Sequence, residues 1–225
     1  MDTHTKDYNY MKHKEININP YSWDFISGEK YWEIYDILYD DTISDIEKQA
    51  RLCCTIEDIP LNDFYNLPIN EATDKIARLS FLNDFKLIHN YNPKSIQLDG
   101  YVCNLIQAQD MTISQFIDYQ NFITKSFKEN YDKILSIFIV PKNKNYNEDY
   151  DITEIQSLIR KMNWRVIQSL LNFILTGYLK SLHRTLLYSV KWMKKLKGQE
   201  RQEMEQKILL LQQKIKDLMH IHISV

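Results

Sequence analysis

From Trp164 to the C-terminus the chain contains no proline, and its only glycines there are Gly177 and Gly198. Proline and glycine are the residues that break a helix most reliably, so one long helix or two stacked ones are expected to run to about Lys197. The apolar run inside it, Val166 to Leu187, is interrupted by Gln168, Asn172, Lys180, His183 and Arg184. Lys180 would sit in hydrocarbon if this segment crossed a bilayer, which points to a buried helix rather than a membrane span.

After Gly198 the pattern changes. Met204, Ile208, Leu211, Ile215 and Leu218 follow one another at alternating spacings of 4 and 3, the a/d seam of a heptad, and the next seam position is His222. The stripe covers about two heptads, short of a long coiled coil. It has three available partners: a second copy, a helix of another protein, or the chain's own long helix. Packing within the molecule is the plainest of them.

Over the whole chain only 4 glycines and 5 prolines interrupt 225 residues, and 44% of the chain is hydrophobic, so a folded protein is expected. Residues 1–19 are polar and aperiodic and read as a flexible arm or an edge segment. Residues 20–160 read as a compact α+β body, and 161–225 as the long basic helix with the heptad helix. Within the body, the aromatic stretch from Trp23 to Leu38 is expected to be helical. Ser44 and Glu47 have the spacing of a capping box for a helix through Ile46, Ala50 and Cys53, which Pro60 closes. Asn70 is expected to cap a helix bearing Ile76, Leu79, Phe81 and Leu82.

Between Phe85 and Ile106 the periodicity becomes alternating. Phe85 and Leu87, then Ile96 and Leu98, then Tyr101, Cys103 and Leu105 are separated by Asn90–Pro93 and by Asp99–Gly100. This predicts a small antiparallel hairpin or meander. Thr112 and Ser114 then open a helix whose apolar face carries Phe116, Ile117, Ile123 and Phe127. Tyr131 to Val140 is expected to form a second, more hydrophobic helix stopped by Pro141, and Thr153 to cap a short helix beyond a polar loop. The fold class is therefore mainly α with a small antiparallel hairpin or meander and long C-terminal helices.

The formal net charge is −2, unevenly placed: 13 Lys+Arg stand against 5 Asp+Glu from Thr153 onward, and 15 against 25 before it. An acidic body carries a basic tail. Cys53, Cys54 and Cys103 are odd in number and lack paired C-x-x-C spacing, which suggests free thiols in a reducing compartment. No apolar leader occurs in the first thirty residues, so export is not expected and a cytoplasmic location is.

The glycines needed for nucleotide-binding loops are missing, and neither a G-x-S-x-G elbow nor an H-E-x-x-H motif occurs. His220 and His222, two apart on a helix, point to different sides. Cys53 and Cys54 would need His89 brought to them to form a nucleophile–base pair. Asp40–Asp41, Glu57–Asp58 and Glu148–Asp149 diverge rather than converge on a cation. No catalytic, cofactor-binding or metal-binding residue is expected. Lys191, Lys194, Lys195 and Lys197, interleaved with Tyr188 and Trp192, would suit phosphate contact and base stacking as well as they suit the wet face of a helix.

Asp110–Asp118, with its Thr112, Ser114 and Gln115, precedes Ile134–Pro141, Tyr146, Met162 and the Val166–Leu175 run. Together these resemble phage morphogenesis proteins of the tail-assembly-chaperone kind, in which a helix opened by Thr or Ser and Gln precedes an apolar helix ending in Pro. The resemblance extends over roughly residues 42–175 and departs from the group in the basic helix and the heptad end. It implies a protein that binds exposed apolar segments of another virion protein, such as a tape-measure or tail component, and performs no reaction. Gln115, Phe116, Pro141 and Tyr146 would then be structural markers. The partner-binding positions expected are Phe116, Phe127, Met204, Ile208, Leu211, Ile215 and Leu218, with self-association through the C-terminal helix as a further outcome. Two other roles fit the residues: a structural or packaged component of the particle, associated with portal, tail or capsid, and a small nucleic-acid-binding protein using the basic helix.

Overall fold

The computed structural model describes residues 19–88, 91, 93–193, 198, 202, 205, 206 and 209. Eight α-helices and three short strands are found among them: α1 (Gly28–Leu38), α2 (Asp45–Glu57), α3 (Leu61–Tyr65), α4 (Ile69–Arg78), β1 (Ser95–Leu98), β2 (Tyr101–Leu105), α5 (Ile113–Ile123), α6 (Phe127–Phe138), β3 (Ile139–Pro141), α7 (Ile152–Lys161) and α8 (Trp164–Met193). The protein is mainly α with a small antiparallel sheet, as the periodicity predicts, and the strand order is β1-β2-β3. No helix among the described residues is long and apolar enough to cross a membrane.

Helix α6 is the hub. Leu135, Ile137 and Phe138 are fully buried, and Ile139 of β3, Cys103 of β2, Ile155 and Ile159 of α7, and Ile167 and Leu170 of α8 are equally buried in the same core. The burial of Trp164, Ile167, Leu170, Leu171 and Ile174 brings the first turns of α8 into the body's core. Even the polar residues of α6 are covered: Asp132 is met by Arg160 Nε at 3.2 Å, and the Ser136 hydroxyl donates to Lys133 O at 2.8 Å, so each carries a partner into the interior.

The start of the described chain is tied to the junction of α7 and α8. Trp164 N donates to Ile26 O at 2.7 Å and Gly28 N to Met162 O at 3.0 Å, while Asn163 Nδ2 donates to Trp23 O at 2.8 Å. Above these bonds Tyr31 lies flat on Trp164 at 3.8 Å. A Cβ at position 28 would stand 2.7 Å from both Ile167 Cδ1 and Tyr131 Oη, so any larger residue there has to displace these buried side chains.

Several local expectations are corrected. Phe85 and Leu87 form no strand; Phe85 sets its ring edge-on to Trp23 at 4.8 Å. The sheet is completed by Ile139–Pro141, in a stretch expected to be the end of the α6 helix. There Ile106 N captures Phe138 O at 2.8 Å and Lys142 N reaches Val102 O at 2.8 Å, so the β-branched pair Ile139–Val140 gains β2 as a partner. Pro141, which lacks a donor, sits at the edge of the sheet. Asn70 lies inside α4, which Pro68 opens, and Thr153 lies inside α7, whose cap is Asp151: its carboxylate accepts from Thr153 N at 2.8 Å.

Candidate docking face

Helix α5 presents a different chemistry on each side. Thr112 caps it through a complete capping box: Thr112 Oγ1 accepts from Gln115 N at 3.3 Å and Gln115 Oε1 accepts from Thr112 N at 2.9 Å. The other end of the same amide, Nε2, donates to Ile137 O at 2.7 Å, which ties the start of α5 to the last turn of α6. Gln115 is only 3% exposed, and this pairing of all three groups is what makes its burial tolerable. One turn on, Tyr119 is buried between the edge of Phe138 at 5.6 Å and Tyr178 of α8 at 5.2 Å. Tyr146 Oη donates to Asp118 Oδ2 at 2.9 Å and braces the flank.

The opposite side of α5 is apolar and uncovered. Ile113, Phe116 and Ile117 are 77%, 44% and 53% exposed, and their i, i+3, i+4 spacing sets them on one surface. Burying a side chain of this size is worth about 1.5–3 kcal/mol. Helix α5 thus faces the core with Gln115 and Tyr119 and leaves Ile113, Phe116 and Ile117 open to solvent on its other side.

Phe127 does not share this face. It is half-buried at the start of α6, with Trp32 at 6.2 Å and Tyr131 at 6.4 Å. It supports a second surface that the sequence reading missed, in which Tyr35 and the 69% exposed Tyr39 pack on each other at 4.4 Å beside Leu38. The i, i+4 spacing of the two tyrosines was visible, but in a segment this rich in aromatics nothing distinguishes the outward rings from the buried ones. An ion pair from Lys128 to Asp36 links α6 to α1.

Lys191 is exposed on α8. Lys194, Lys195 and Lys197, the seam residues Met204, Ile208, Leu211, Ile215 and Leu218, and His89, His220 and His222 lie outside the described residues. A cleft of about 280 Å³ opens between Ile106–Gln109 and α8, with Lys180 and Arg184 on its wall.

The three cysteines are buried, and burial pushes the thiols of Cys53 and Cys103 up to about 11, the reverse of what a nucleophile needs. Cys53 belongs to a polar knot in which Tyr21 Oη donates to Glu57 Oε1 at 2.7 Å and Lys75 Nζ meets Glu57 Oε2 at 2.6 Å. No group of three His, Cys, Asp or Glu side chains with metal-binding placement occurs among the described residues.

No family model, no curated protein and no solved structure matches this chain.

Proposed function

We propose that the protein is an assembly factor of the tail-assembly-chaperone kind, which shelters an apolar helical segment of another virion protein on the outer face of α5 and keeps it soluble until assembly, without catalysing a reaction. The observation that carries this reading is the exposure of Ile113, Phe116 and Ile117 side by side on a helix whose other face is locked to α6 and α8. The mode is helix against an apolar surface, in which binding follows from area removed from water rather than from a reactive group. The residues that resemble the chaperone group gain a physical role here: Gln115 and Tyr146 hold α5 in place, and Phe116 belongs to the face itself.

The test is co-expression with the products of the genes on either side of the one that encodes this protein. Wild type should raise the soluble fraction of one of them and co-elute with it. Phe116→Asp with Ile117→Asp should abolish both effects while leaving the thermal unfolding curve in place, since neither side chain is in the core. A client equally soluble with wild type and with the double variant would reject the reading. The protein recovered in stoichiometric amounts in purified particles would favour a packaged component instead.

A further inference from the structure

Two features of α8 weaken the helix and gain nothing from the described residues around them. Gly177 lies inside a 30-residue helix, where glycine is disfavoured against alanine by about fivefold in the helical equilibrium. Packing does not call for it, since a Cβ at this position meets nothing within 4 Å and the backbone there is not left-handed. Further along, Lys180 and Arg184 form an i, i+4 pair of like charges, which repel on a helix surface. No carboxylate answers them: α8 has no acidic residue from Trp164 to Met193, and neither cation has an ion-pair partner among the described residues. Local rules broken together without a packing gain are expected at functional sites.

These residues share one stripe and one cleft. Phe173, Gly177, Lys180 and Arg184 follow at spacings of 4, 3 and 4, so they lie on the same side of α8. All four line the cleft of about 280 Å³, near the lower end of the about 300–1,000 Å³ usual for sites that take small organic ligands. The facing wall, Ile106–Gln109, is fixed in place: Ile106 N donates to Phe138 O at 2.8 Å and Asp110 N to Gln107 O at 2.9 Å. On that wall Gln109 Nε2 donates to Gln107 Oε1 at 3.0 Å, which leaves the Gln107 amide nitrogen with both protons for another acceptor. Half-buried Phe173 and buried Ile174 make the floor apolar. Long helical side chains lean toward the preceding turn, which carries both cationic heads toward Gly177.

We infer that this cleft binds a small organic phosphate monoester, its apolar body lying on the bare helix at Gly177 beside Phe173 and its dianionic head held by Lys180 and Arg184. Charge selects the head. The lining holds two cations and no acid, and Asp110, the nearest acid in sequence to Gln109, is exposed and outside it. A phosphate monoester carries about −1.5 to −2 at neutral pH and matches that pair, whereas one carboxylate leaves a cation unanswered. The arginine fork and the lysine point charge are both partners that phosphate oxygens take. The glycine selects the body, because an alanine methyl would stand in the space that a flat ring needs to lie against the helix.

Calorimetric titration of the full-length protein with phenyl phosphate tests this. Phenyl phosphate should bind at one site, with an affinity that falls as salt is raised. Inorganic phosphate and benzoate should bind about tenfold more weakly or worse, and Lys180→Gln and Arg184→Gln should each weaken phenyl phosphate by about tenfold. Lys161→Gln, which removes an exposed cation outside the cleft, should leave its affinity unchanged. Gly177→Ala should weaken binding while raising the unfolding temperature by about 2–4 °C, a combination that a purely structural glycine would not give. Four results would each overturn the inference: no binding of phenyl phosphate, inorganic phosphate bound equally well and thus an adventitious ion only, benzoate bound equally well, or cleft variants with wild-type affinity. The substituted residues are all exposed, so the variants should fold. None of them belongs to α5, and the client-solubility experiment above stands or falls separately.

Discussion

At the scale of single residues, the sharpest constraint is steric and sits at Gly28. A methyl group there meets the Ile167 side chain and the Tyr131 hydroxyl at 2.7 Å and the Arg160 carbonyl at 3.0 Å. The backbone cannot retreat, because Gly28 N is bonded to Met162 O and its neighbour Ser27 bridges Asn163. Overpacking of this kind costs about 1–3 kcal/mol. Gly28→Ala should therefore lower the unfolding free energy by that amount, seen as a lower urea midpoint with an unchanged slope, and a midpoint equal to wild type would show that α1 is not wedged against α8. Nothing in the sequence singled out this glycine. A close approach between segments about 140 residues apart is a tertiary fact with no local signature, whereas the left-handed Gly100 in the β1–β2 turn follows an aspartate and was legible as a hairpin turn.

Among the elements, α5 shows both the reach and the limit of periodicity. Its start was readable because the Thr112–Gln115 spacing is a chemical requirement, one hydroxyl and one amide each closing a backbone group of the other, and the same reading placed Ser44 at the head of α2. Its orientation was not readable from periodicity, and only the resemblance pointed to Phe116 as an outward position. Phe116 and Ile117 form an apolar stripe, and a stripe is ordinarily a core face; here the inward side belongs to Gln115 and Tyr119, whose polar atoms hid their burial from a count of apolar residues. Strand β3 escaped for a related reason, since three apolar residues that follow a helix directly cannot be told from its last turn until β2 supplies hydrogen bonds. The bracing amide makes a testable distinction. Gln115→Ala removes half of the capping box and leaves the Ile137 carbonyl without its donor, which together should cost about 1–3 kcal/mol of unfolding free energy. Thr112→Ala keeps the tie to α6 and loses only the cap, about 0.5–2 kcal/mol. Guanidinium melts of both variants should rank them in that order, and the reverse order would mean that the tie from Gln115 to α6 contributes little.

For the molecule as a whole, the interior is built from groups that resist ionisation. Burial raises the thiols of Cys53 and Cys103 to about 11, and it raises the phenols of Tyr119, Tyr131 and Tyr146 above their ordinary value; at Tyr146 the Asp118 carboxylate adds to the effect. These residues come from β2, α2, α5, α6 and the loop before α7, so the whole core shares one sensitivity. In the unfolded chain the thiols titrate near 8.5 and the phenols near 10. Each group thus holds its proton more tightly when folded, and the corresponding stability is complete below the unfolded value and lost as pH rises through the folded one. Unfolding free energy should be level with respect to these groups up to about pH 8.5 and then fall, first through the thiols up to about pH 11 and further as the phenols follow. Urea melts taken from pH 7 to 11, with tyrosinate absorbance read in the same samples, check this. Ionisation of the buried phenols, read as the difference in tyrosinate absorbance between wild type and Tyr119→Phe or Tyr131→Phe, should appear together with loss of the fold, because these rings reach water only when the core opens. Tyrosinate of Tyr119 or Tyr131 forming well before the unfolding transition would mean that the α5–α6–α8 core admits water, and the rigid backing that the α5 face depends on would be gone.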